Sequence, residues 1–511
     1  MKTCEVEALL SEVLPAVDFD ADFLFSELDS LNVATILYVL SEKYNVLLDA
    51  DDVAPKNLRN VESITSMVQA KMRLENKIRQ FAVSTPDKIA VMSEGSTLTY
   101  SQLWDAIIAK SEELSAGGLK SGRPYVWRAS QDIDFIVTYC AVHYLRAVAV
   151  PLGAQTPDAT YADIVNEVNS CVFPKEIEDT LFTTGTTGKS KGVMLSETCL
   201  TSCAENFMCG MNFNKDLMFI ISGPLNHIAS LFKIHPTLSA GGTLYILDGL
   251  KDMNAFFKVF DLPFKAFGTF LVPASLRLIM QFSYDKLCSL APKIAFIETG
   301  AAPITKTDME RLSKALPDSR LYNTYGGTEI GCVATYNFND GEYMEDCVGK
   351  TLKNSSVEVN DDGVVIVSGD TIMSGYLNDE EGTNSVIRGG KIYLSDLGRF
   401  DENGLLHLTG RQGDVINVGG YKVNPLEIEN VASSFPGVKD CICIAATHPV
   451  IGPVLKLLVQ VEVPEQFDKH AMAAYIKSKL ESYKVPVMYE SVTSIKYTYN
   501  GKKDRKAYKP Q

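Results

Sequence analysis

The 511-residue chain has no apolar run long enough to cross a membrane and no opening apolar segment of the secretory type. Its eleven cysteines form no CxxC pair and no regular spacing. This predicts free core thiols in a reducing compartment rather than a disulfide framework. Internal repeats and low-complexity segments are also missing. Together these absences predict a soluble, cytoplasmic protein.

Positive charge is scarce as well. The chain carries 48 Lys and Arg against 63 Asp and Glu, a formal charge of −15, which argues against a general nucleic-acid binder. Residues 1–70 alone hold 13 acidic and 4 basic residues. In that segment apolar residues recur at helical spacing from Val33 to Leu40, and Ser30 precedes them where a helix cap belongs. The front of the chain is therefore predicted to be a short acidic helical bundle.

The remaining sequence predicts two further domains. A chain of this length is too long for one ordinary core. From about residue 82, short apolar strand-like runs alternate with longer helical stretches, which indicates α/β layers with much parallel sheet. After about Gly410 a smaller α+β pattern follows. We therefore expect domains at residues 1–73, 74–410 and 411–511.

The stretch "LFTTGTTGKSKGVMLSE", which begins at Leu181, is dense in glycine and hydroxyl groups and predicts a phosphate-binding loop. It is not a good Walker loop. The pattern GxxxxGK[ST] needs a glycine where Thr183 stands, and Gly185 comes two residues too late. No convincing apolar strand that ends in Asp serves as a Walker B partner, so a P-loop NTPase is disfavoured.

The segment "TTGTTGKSKG" instead resembles the phosphate loop of the acyl-adenylate-forming superfamily, whose usual form is TSGTTGxPKG. That superfamily includes acyl-CoA synthetases, nonribosomal-peptide adenylation domains and luciferases. Further motifs follow in the family's order: "PLNHIAS" from Pro224, "ETGAAPI" from Glu298, "NTYGGTEIG" from Asn323, "YLSDLGRFDENG" from Tyr393, "GRQGDVINVGGYKVNPLEIE" from Gly410 and "TYNGKKDRK" from Thr498. The resemblance covers residue 76 to the C-terminus and implies a large α/β adenylate-forming domain with a mobile lid.

The resemblance implies that a carboxylate attacks the α-phosphorus of ATP, forming an acyl-adenylate and releasing pyrophosphate. Two anions must meet, so cations and directed N–H groups are needed. It assigns the β- and γ-phosphates to one loop: Thr183, Thr184, Gly185, Thr186, Thr187, Gly188 and Lys191. The alternative is an ordinary surface turn rich in Thr and Gly.

Glu329 matches the family's Mg²⁺ ligand, as suits a hard cation that prefers oxygen and bridges phosphates. Thr328 beside it matches an α-phosphate contact. The adenine side of the site is assigned to Tyr325, Gly300, Ala301 and Ala302. The alternative is a turn after a strand, with Glu329 as a solvated charge.

Asp396 matches the carboxylate that accepts hydrogen bonds from both ribose hydroxyls, and Arg411 matches an arginine on ribose and phosphate. Lys502 matches the lysine that touches both the carboxylate and the α-phosphate. Gly413 occupies the hinge position, where glycine supplies conformational freedom. The alternatives are a surface arginine at a domain border and one lysine of a solvated basic tail.

His227 occupies a gate-like position beside the acid site. Amino-acid-activating relatives place an aspartate near here to pair with the substrate ammonium, and "GPLNHIASLFK" has none. The resemblance therefore implies an aryl or aliphatic carboxylic acid without an α-ammonium group. The alternative is a histidine that fills space at a helix start.

The segment "FDADFLFSELDSLNVATILYVL" resembles an acyl or peptidyl carrier domain, a four-helix bundle. Such domains carry phosphopantetheine on the serine of a DSL motif, which Asp29, Ser30 and Leu31 match. A phosphopantetheinyl transferase and downstream acyl-accepting enzymes would then be partners. The alternative is that Ser30 only caps its helix.

Three functions follow. The first is activation of a carboxylic acid with ATP and Mg²⁺ and its transfer to phosphopantetheine on Ser30. The second is a CoA ligase that releases free acyl-CoA, its front domain being regulatory or serving other enzymes. The third is a vestigial carrier scaffold, motivated by family departures at Ser190, Ser395 and Lys496. The four charged site residues that still match the family weigh against this vestigial-scaffold function.

Overall fold

The computed structural model describes residues 3–21, 23–44, 46–184, 190–414, 416–418, 421–448, 452–461, 467–498 and 503–508. Within these ranges no helix has both the length and the apolar character that a bilayer crossing requires. All eleven cysteines are free, as predicted, and eight of them are buried.

The N-terminal unit is helical and has its own apolar core. Its described α-helices are α1 Thr3–Val13, α2 Leu24–Glu27, α3 Ser30–Tyr44 and α4 Val61–Met72. Leu10, Leu24, Leu40 and Ile64 are each fully buried in one hydrophobic cluster. Burial on this scale stabilises a small unit by about 1.5–3 kcal/mol per large side chain, so the front segment is built as a separate packing unit.

The start of α3 differs by one residue from the expected cap. Asp29 is the capping residue, because its Oδ1 accepts a hydrogen bond from the backbone N–H of Asn32 at 2.7 Å. Ser30 is instead the first helical residue, and its side chain is exposed. The prediction of Ser30 as the helix cap is therefore wrong, and its hydroxyl is not used to satisfy the helix end.

A single residue joins the N-terminal unit to the first helix of the large domain. Helix α5, Leu74–Ser84, begins directly after α4, and only Arg73 separates the two. Arg73 is 3% exposed. Its guanidinium donates to Glu75, to both carboxylate oxygens of Glu178, to Glu197 and to the carbonyl of His143. The junction is thus a buried ionic contact with the large domain.

This ionic contact is charged on both sides. Burial alone would lower the pKa of Arg73, but the carboxylates of Glu75 and Glu178 outweigh burial and raise it. Burial raises the pKa of Glu178, while His143 and Arg73 act in the opposite direction. The arginine therefore remains protonated and compensates carboxylates that are withdrawn from water.

The large domain contains two sheets. Its strands are β1 Ile89–Ser93, β2 Ser96–Thr99, β3 Pro124–Arg128, β4 Val148–Leu152, β5 Ile177–Thr184, β6 Ser190–Ser196, β7 Leu217–Ile221, β8 Thr243–Ile246, β9 Ala266–Phe270, β10 Ile294–Gly300, β11 Arg320–Gly327, β12 Gly331–Asn337, β13 Cys347–Thr351, β14 Ser355–Val359, β15 Val364–Gly369, β16 Gly375–Tyr376, β17 Ile387–Arg388, β18 Lys391–Phe400 and β19 Leu406–Arg411. The larger sheet follows the order β14-β15-β18-β19-β13-β12-β11-β10-β9-β7-β8-β1-β2, with β17 beside β18. The smaller sheet follows β16-β6-β5-β4-β3.

Helices cover these sheets. They are α6 Tyr100–Ala116, α7 Ile133–Tyr144, α8 Asp158–Asn169, α9 Glu197–Met211, α10 Ile228–Leu231, α11 Ile234–Ser239, α12 Met253–Val259, α13 Pro273–Phe282, α14 Tyr284–Ser289, α15 Lys306–Ala315 and α16 Glu380–Val386. The alternation of strands and helices forms the parallel layers that the sequence predicted.

One run of parallel strands positions the motifs. Strands β1, β8, β7, β9, β10 and β11 are neighbours and pair in parallel. Their carboxyl ends therefore share one edge of the sheet, which is where open α/β sheets bind ligands. The segments that follow β7, β10 and β11 begin at this edge, and they contain His227, Ala301 and Glu329.

The C-terminal part is a small α+β unit. Its elements are β20 Ile416–Val418, β21 Tyr421–Val423, α17 Pro425–Ser433, β22 Val438–His448, β23 Gly452–Val461, α18 Lys469–Lys477 and β24 Met488–Val492. Strands β22, β23 and β24 form a sheet of their own. Val423, Ile428, Cys443 and Met472 are fully buried in its separate core.

We predict that Arg73→Met destabilises the full-length chain by about 3–5 kcal/mol, because it leaves buried carboxylates without their cation. Urea denaturation followed by tryptophan fluorescence would show a lower midpoint. Arg146→Met is the matched control, since Arg146 also contacts Glu197 but its side chain is 47% exposed. That variant is expected to unfold close to wild type. Equal decreases in the urea midpoint of the two variants would contradict a stabilising role for the buried Arg73 contact.

Candidate active site

Three predicted nucleotide residues meet at one point. Asp396 on β18 lies opposite Arg411 on β19 in the antiparallel register, and Tyr325 on β11 reaches the same carboxylate. The Tyr325 hydroxyl donates to Asp396 Oδ2 at 2.7 Å, and Arg411 Nε donates to Oδ1. Tyr325 and Arg411 lie 71 and 15 positions from Asp396 in the chain, and the structure brings all three together.

The surroundings of Tyr325 favour its neutral phenol. Burial, and next the Asp396 carboxylate, raise the pKa of Tyr325 well above its ordinary value, so the phenol remains protonated. Asp396 is 9% exposed, whereas the Arg411 side chain is 45% exposed. A diol could take the place of the phenol as the donor to Asp396, while Arg411 keeps its contact with the other carboxylate oxygen.

A second cluster surrounds Glu329, at the turn between β11 and β12. The Tyr376 hydroxyl donates to Glu329 Oε1 at 3.3 Å. Lys191 Nζ lies 4.4 Å from the centre of the Tyr376 ring and 2.9 Å from Asp379 Oδ2. Burial, followed by Glu329, raises the pKa of Tyr376. Lys191 and Glu329, which the sequence assigned separately to phosphate and Mg²⁺, are therefore linked through one phenol ring.

Tyr376 and Asp379 were missed by sequence reasoning. They lie in "SGYLNDEE", which has neither the glycine density nor the charge pattern that marked the other segments. Their place depends on tertiary pairing, because β16 adds to the edge of the smaller sheet with Tyr376 opposite Val193. Val193 is two residues from Lys191. No local signal in the sequence encodes that neighbour relation.

The predicted adenine-side loop leaves β10 in a constrained shape. Gly300 pairs with Thr324 on β11, and a Cβ at Gly300 would lie 2.7 Å from the Thr324 carbonyl oxygen. Glycine is therefore required by the close backbone approach. Ala301 follows with φ of +65°, a conformation that few non-glycine residues adopt, and Ala302 is half-buried.

Two further predicted residues occupy the same edge. Thr328 is buried at the turn after β11. His227 precedes α10, and its Nδ1 accepts a hydrogen bond from the backbone N–H of Ala229 at 3.3 Å. His227 therefore caps a short helix in this structure, which is compatible with a second role toward substrate.

The phosphate loop is only partly described. Thr183 lies opposite Lys191 in the β5–β6 pair, and Thr184 is the last residue of β5. The remaining predicted loop residues, Gly185, Thr186, Thr187 and Gly188, lie outside the described residues, and so does Lys502.

The basic tail beside Lys502 is paired rather than solvated. Lys503 Nζ lies 3.0 Å from Asp440 and 3.4 Å from Glu429, and Arg505 donates to Glu429. Arg505 also lies 3.4 Å from Asp414, next to the predicted hinge. Gly413, the predicted hinge residue, is exposed and its φ lies outside the left-handed region, so this conformation does not itself require glycine there.

Comparison with protein families identifies the fold and the chemistry class. The model of the AMP-binding enzyme matches residues 78–180 and 174–377, and the model of the AMP-binding enzyme C-terminal domain matches residues 427–502. The chain belongs to the AMP-binding enzyme family. It is accordingly an AMP-forming acid–thiol ligase, as the motifs predicted, with the large α/β domain and the small C-terminal domain of that family. Both models leave the N-terminal helical unit unmatched.

Named relatives extend over most of the chain. A 2-succinylbenzoate–CoA ligase of Bacillus cereus is 25% identical over 465 residues, covering 81% of this chain and 93% of the relative. Among solved structures, ATP-bound MatB from Rhodopseudomonas palustris has a TM-score of 0.78 at 21% identity, covering 86% of this chain and 99% of that one. The O-succinylbenzoate coenzyme A synthetase of Bacillus subtilis with ATP and magnesium has a TM-score of 0.71 at 21% identity, with 84% and 98% covered. These similarities establish the fold.

We predict that Asp396→Asn lowers kcat/KM for ATP by about 10- to 100-fold, because hydrogen bonds to a charged group contribute about 1.5–3 kcal/mol. Acid-dependent ATP–pyrophosphate exchange would measure the loss. Asp362→Asn, an exposed aspartate in the β14–β15 turn, is the control and is expected to match wild type. An unchanged KM for ATP in Asp396→Asn would remove Asp396 from the nucleotide site.

Proposed function

We propose that the protein is an AMP-forming acyl-CoA ligase. In the first step the carboxylate of the acid attacks the α-phosphorus of ATP, and pyrophosphate leaves. In the second step the CoA thiolate attacks the acyl carbonyl of the adenylate, and AMP leaves. The observation that carries the proposal is the convergence of the Asp396 cluster and the Glu329 cluster at one edge of the parallel strands.

Each cluster suits one part of ATP. Asp396 would accept from both ribose hydroxyls while Arg411 spans ribose and phosphate, and the Tyr325 ring would stack on adenine beside Gly300, Ala301 and Ala302. Lys191 would leave Asp379 to pair with phosphate, together with Thr183 and the loop through Gly188. Thr328 would contact the α-phosphate. A lysine side chain with a half-exposed partner can exchange it for phosphate at low cost.

Magnesium fits the second cluster. Glu329 is half-buried, and one of its oxygens receives the Tyr376 hydroxyl. Mg²⁺ is commonly held by one or two carboxylates together with substrate phosphates and water, so Glu329 supplies the type of ligand required. The ion would neutralise phosphate charge as the carboxylate approaches. The solved relative with ATP and magnesium supports this assignment.

The acid is proposed to be aryl or aliphatic and to lack an α-ammonium group. The segment from Gly223 to Lys233 contains no aspartate, and relatives named 2-succinylbenzoate–CoA ligase act on an acid of this kind. His227 would stand beside the reacting carboxylate, and Lys502 would contact that carboxylate and the α-phosphate. Lid movement about Gly413 would then exchange Lys502 for the thiol acceptor.

CoA is the better-supported acceptor. The named relatives are CoA ligases, and the family models do not include the N-terminal unit. We therefore rank transfer to the chain's own carrier second to transfer to CoA. One observation supports the second candidate function, in which the carrier accepts the acyl group. Ser30 is exposed at the start of α3, and Leu31 beside it is 73% exposed, so a transferase could reach the hydroxyl.

We therefore propose residues 1–73 as a carrier-like domain, residues 74–410 as the adenylate-forming domain and residues 411–511 as the lid. The separate cores of the N-terminal unit and the C-terminal unit support these divisions. In the second candidate function, phosphopantetheine on Ser30 would accept the acyl group and present it to downstream enzymes.

We predict that the full-length protein, given Mg-ATP, CoA, a phosphopantetheinyl transferase and a panel of acids, accumulates acyl-CoA in solution. Chromatography of the thioesters and intact-mass analysis of the protein would be read together. Ser30→Ala is expected to keep the same rate of acyl-CoA formation, because Ser30 lies in a unit outside the family's catalytic domains.

The same experiment separates the two acceptors. A pantetheine adduct that gains an acyl increment, with both masses lost in Ser30→Ala and no acyl-CoA in solution, would favour the carrier as acceptor. Asp29→Ala, which removes the helix cap but keeps the hydroxyl, controls for simple damage to the start of α3.

A further inference from the structure

Tyr376 contacts both charged side chains of the Glu329 cluster, although the proposed chemistry gives it no role. Its hydroxyl donates to Glu329 Oε1 at 3.3 Å, and its ring centre lies 4.4 Å from Lys191 Nζ. Glu329 is the proposed magnesium ligand, and Lys191 is a proposed phosphate contact. One side chain therefore reaches two groups that would act on the same polyphosphate.

The backbone of Tyr376 is held by its neighbours. Strand β16 pairs with β6, where the N–H of Leu377 donates to the Gly192 carbonyl at 2.7 Å. The N–H of Tyr376 donates to Thr383 Oγ1 at 2.9 Å. Backbone pairing thus places the phenol ring, and its position does not depend on the two charged groups that it contacts.

The strand register accounts for the contact between Tyr376 and Lys191. Tyr376 lies opposite Val193, and side chains two residues apart on a strand share one face. Lys191 is therefore a diagonal neighbour of Tyr376, within the reach of an aromatic side chain. The face of an aromatic ring attracts an ammonium group without carrying a net charge, so it holds Lys191 without competing with phosphate.

The segment that contains Tyr376 also holds the turn that carries Glu329. The Glu329 carbonyl accepts the N–H of Met373 at 2.8 Å, and its carboxylate accepts the Tyr376 hydroxyl. The hydroxyl contact is long, and hydrogen bonds of this length in catalytic sites commonly shorten when substrate binds. Metal-binding carboxylates are usually oriented by a donor of this kind, and its loss typically lowers metal affinity or activity by about 10- to 100-fold.

We propose that Tyr376 is a positioning residue with two separable parts. Its hydroxyl orients Glu329 toward magnesium, and its ring holds Lys191 beside the phosphate loop. This inference rests on the proposed ATP-dependent adenylation. It adds the residue through which metal binding and phosphate binding share one support.

Isothermal titration calorimetry with ATP, in the absence of acid, separates the two parts in the full-length protein. The dissociation constant of ATP is measured with EDTA and again with excess Mg²⁺, and the ratio of the two values reports how far the metal tightens ATP binding. Tyr376→Phe keeps the ring, so it is expected to bind ATP in EDTA as wild type does but to lower that ratio by about tenfold. Tyr376→Leu also loses the ring and is expected to bind ATP about two- to fivefold more weakly even in EDTA.

Tyr161 is the matched control, because it makes the same two kinds of contact beside the opposite edge of the smaller sheet. Its hydroxyl donates to the Val126 carbonyl at 3.0 Å, and its ring centre lies 4.4 Å from the guanidinium carbon of Arg128. Tyr161→Phe and Tyr161→Leu are expected to keep the wild-type ratio and the wild-type affinity for ATP in EDTA.

An unchanged ratio in Tyr376→Phe would overturn the proposal, and so would equal weakening of ATP binding in EDTA and in Mg²⁺. Equal affinities of the Phe and Leu variants for ATP in EDTA would overturn the role of the ring. With acid present, pyrophosphate exchange by Tyr376→Phe is expected to recover as Mg²⁺ is raised, and a failure to recover would contradict a defect in metal affinity.

The wild-type protein distinguishes failure of this inference from failure of the proposed function. If wild type neither binds ATP nor exchanges pyrophosphate with any acid, adenylation itself fails and the inference fails with it. Exchange by wild type together with an unchanged ratio in Tyr376→Phe removes only the inference.

Discussion

The parallel pairing of β7, β9, β10 and β11 is the constraint on which the site depends. Parallel strands bring their carboxyl ends to one edge, so segments more than a hundred residues apart in sequence start from the same place. The close approach of Gly300 to Thr324 fixes the spacing of two of these segments. The nucleotide cluster and the Glu329 cluster then follow from where each strand ends.

A buried ionic contact has a comparable role at the front of the chain. Arg73 occupies the single position between α4 and α5, and its partners come from the large domain. A flexible linker would let a carrier-like unit travel to distant partners, whereas this junction orders the connection between the unit and the large domain. Any loading of Ser30 by its own active site would therefore require this contact to open or the arm alone to span the distance. That geometric demand agrees with CoA as the primary acceptor.

Most of the fold could be predicted from the sequence, because buried strands and amphipathic helices leave periodic signals. The segments around Gly300, Tyr325 and Asp396 were assigned because they resemble motifs of the acyl-adenylate-forming superfamily, and the structure brings Tyr325 and Asp396 into contact. Tyr376 could not be found, because its place depends on pairing with Val193, far earlier in the chain. The cap of α3 was misplaced by one residue, since Asp29 and Ser30 are both good caps and only the backbone conformation decides between them.

Ion pairs within the C-terminal unit would let the proposed lid move as one piece. Glu429 accepts the backbone N–H of Cys443 at 2.8 Å and pairs with Lys503 and Arg505, all within the C-terminal unit. Arg505 extends the network to Asp414, on the lid side of Gly413. A rotation about Gly413 would leave each of these pairs intact, whereas a rotation at a later residue would separate Asp414 from Arg505. These contacts support Gly413 as the position of the proposed hinge.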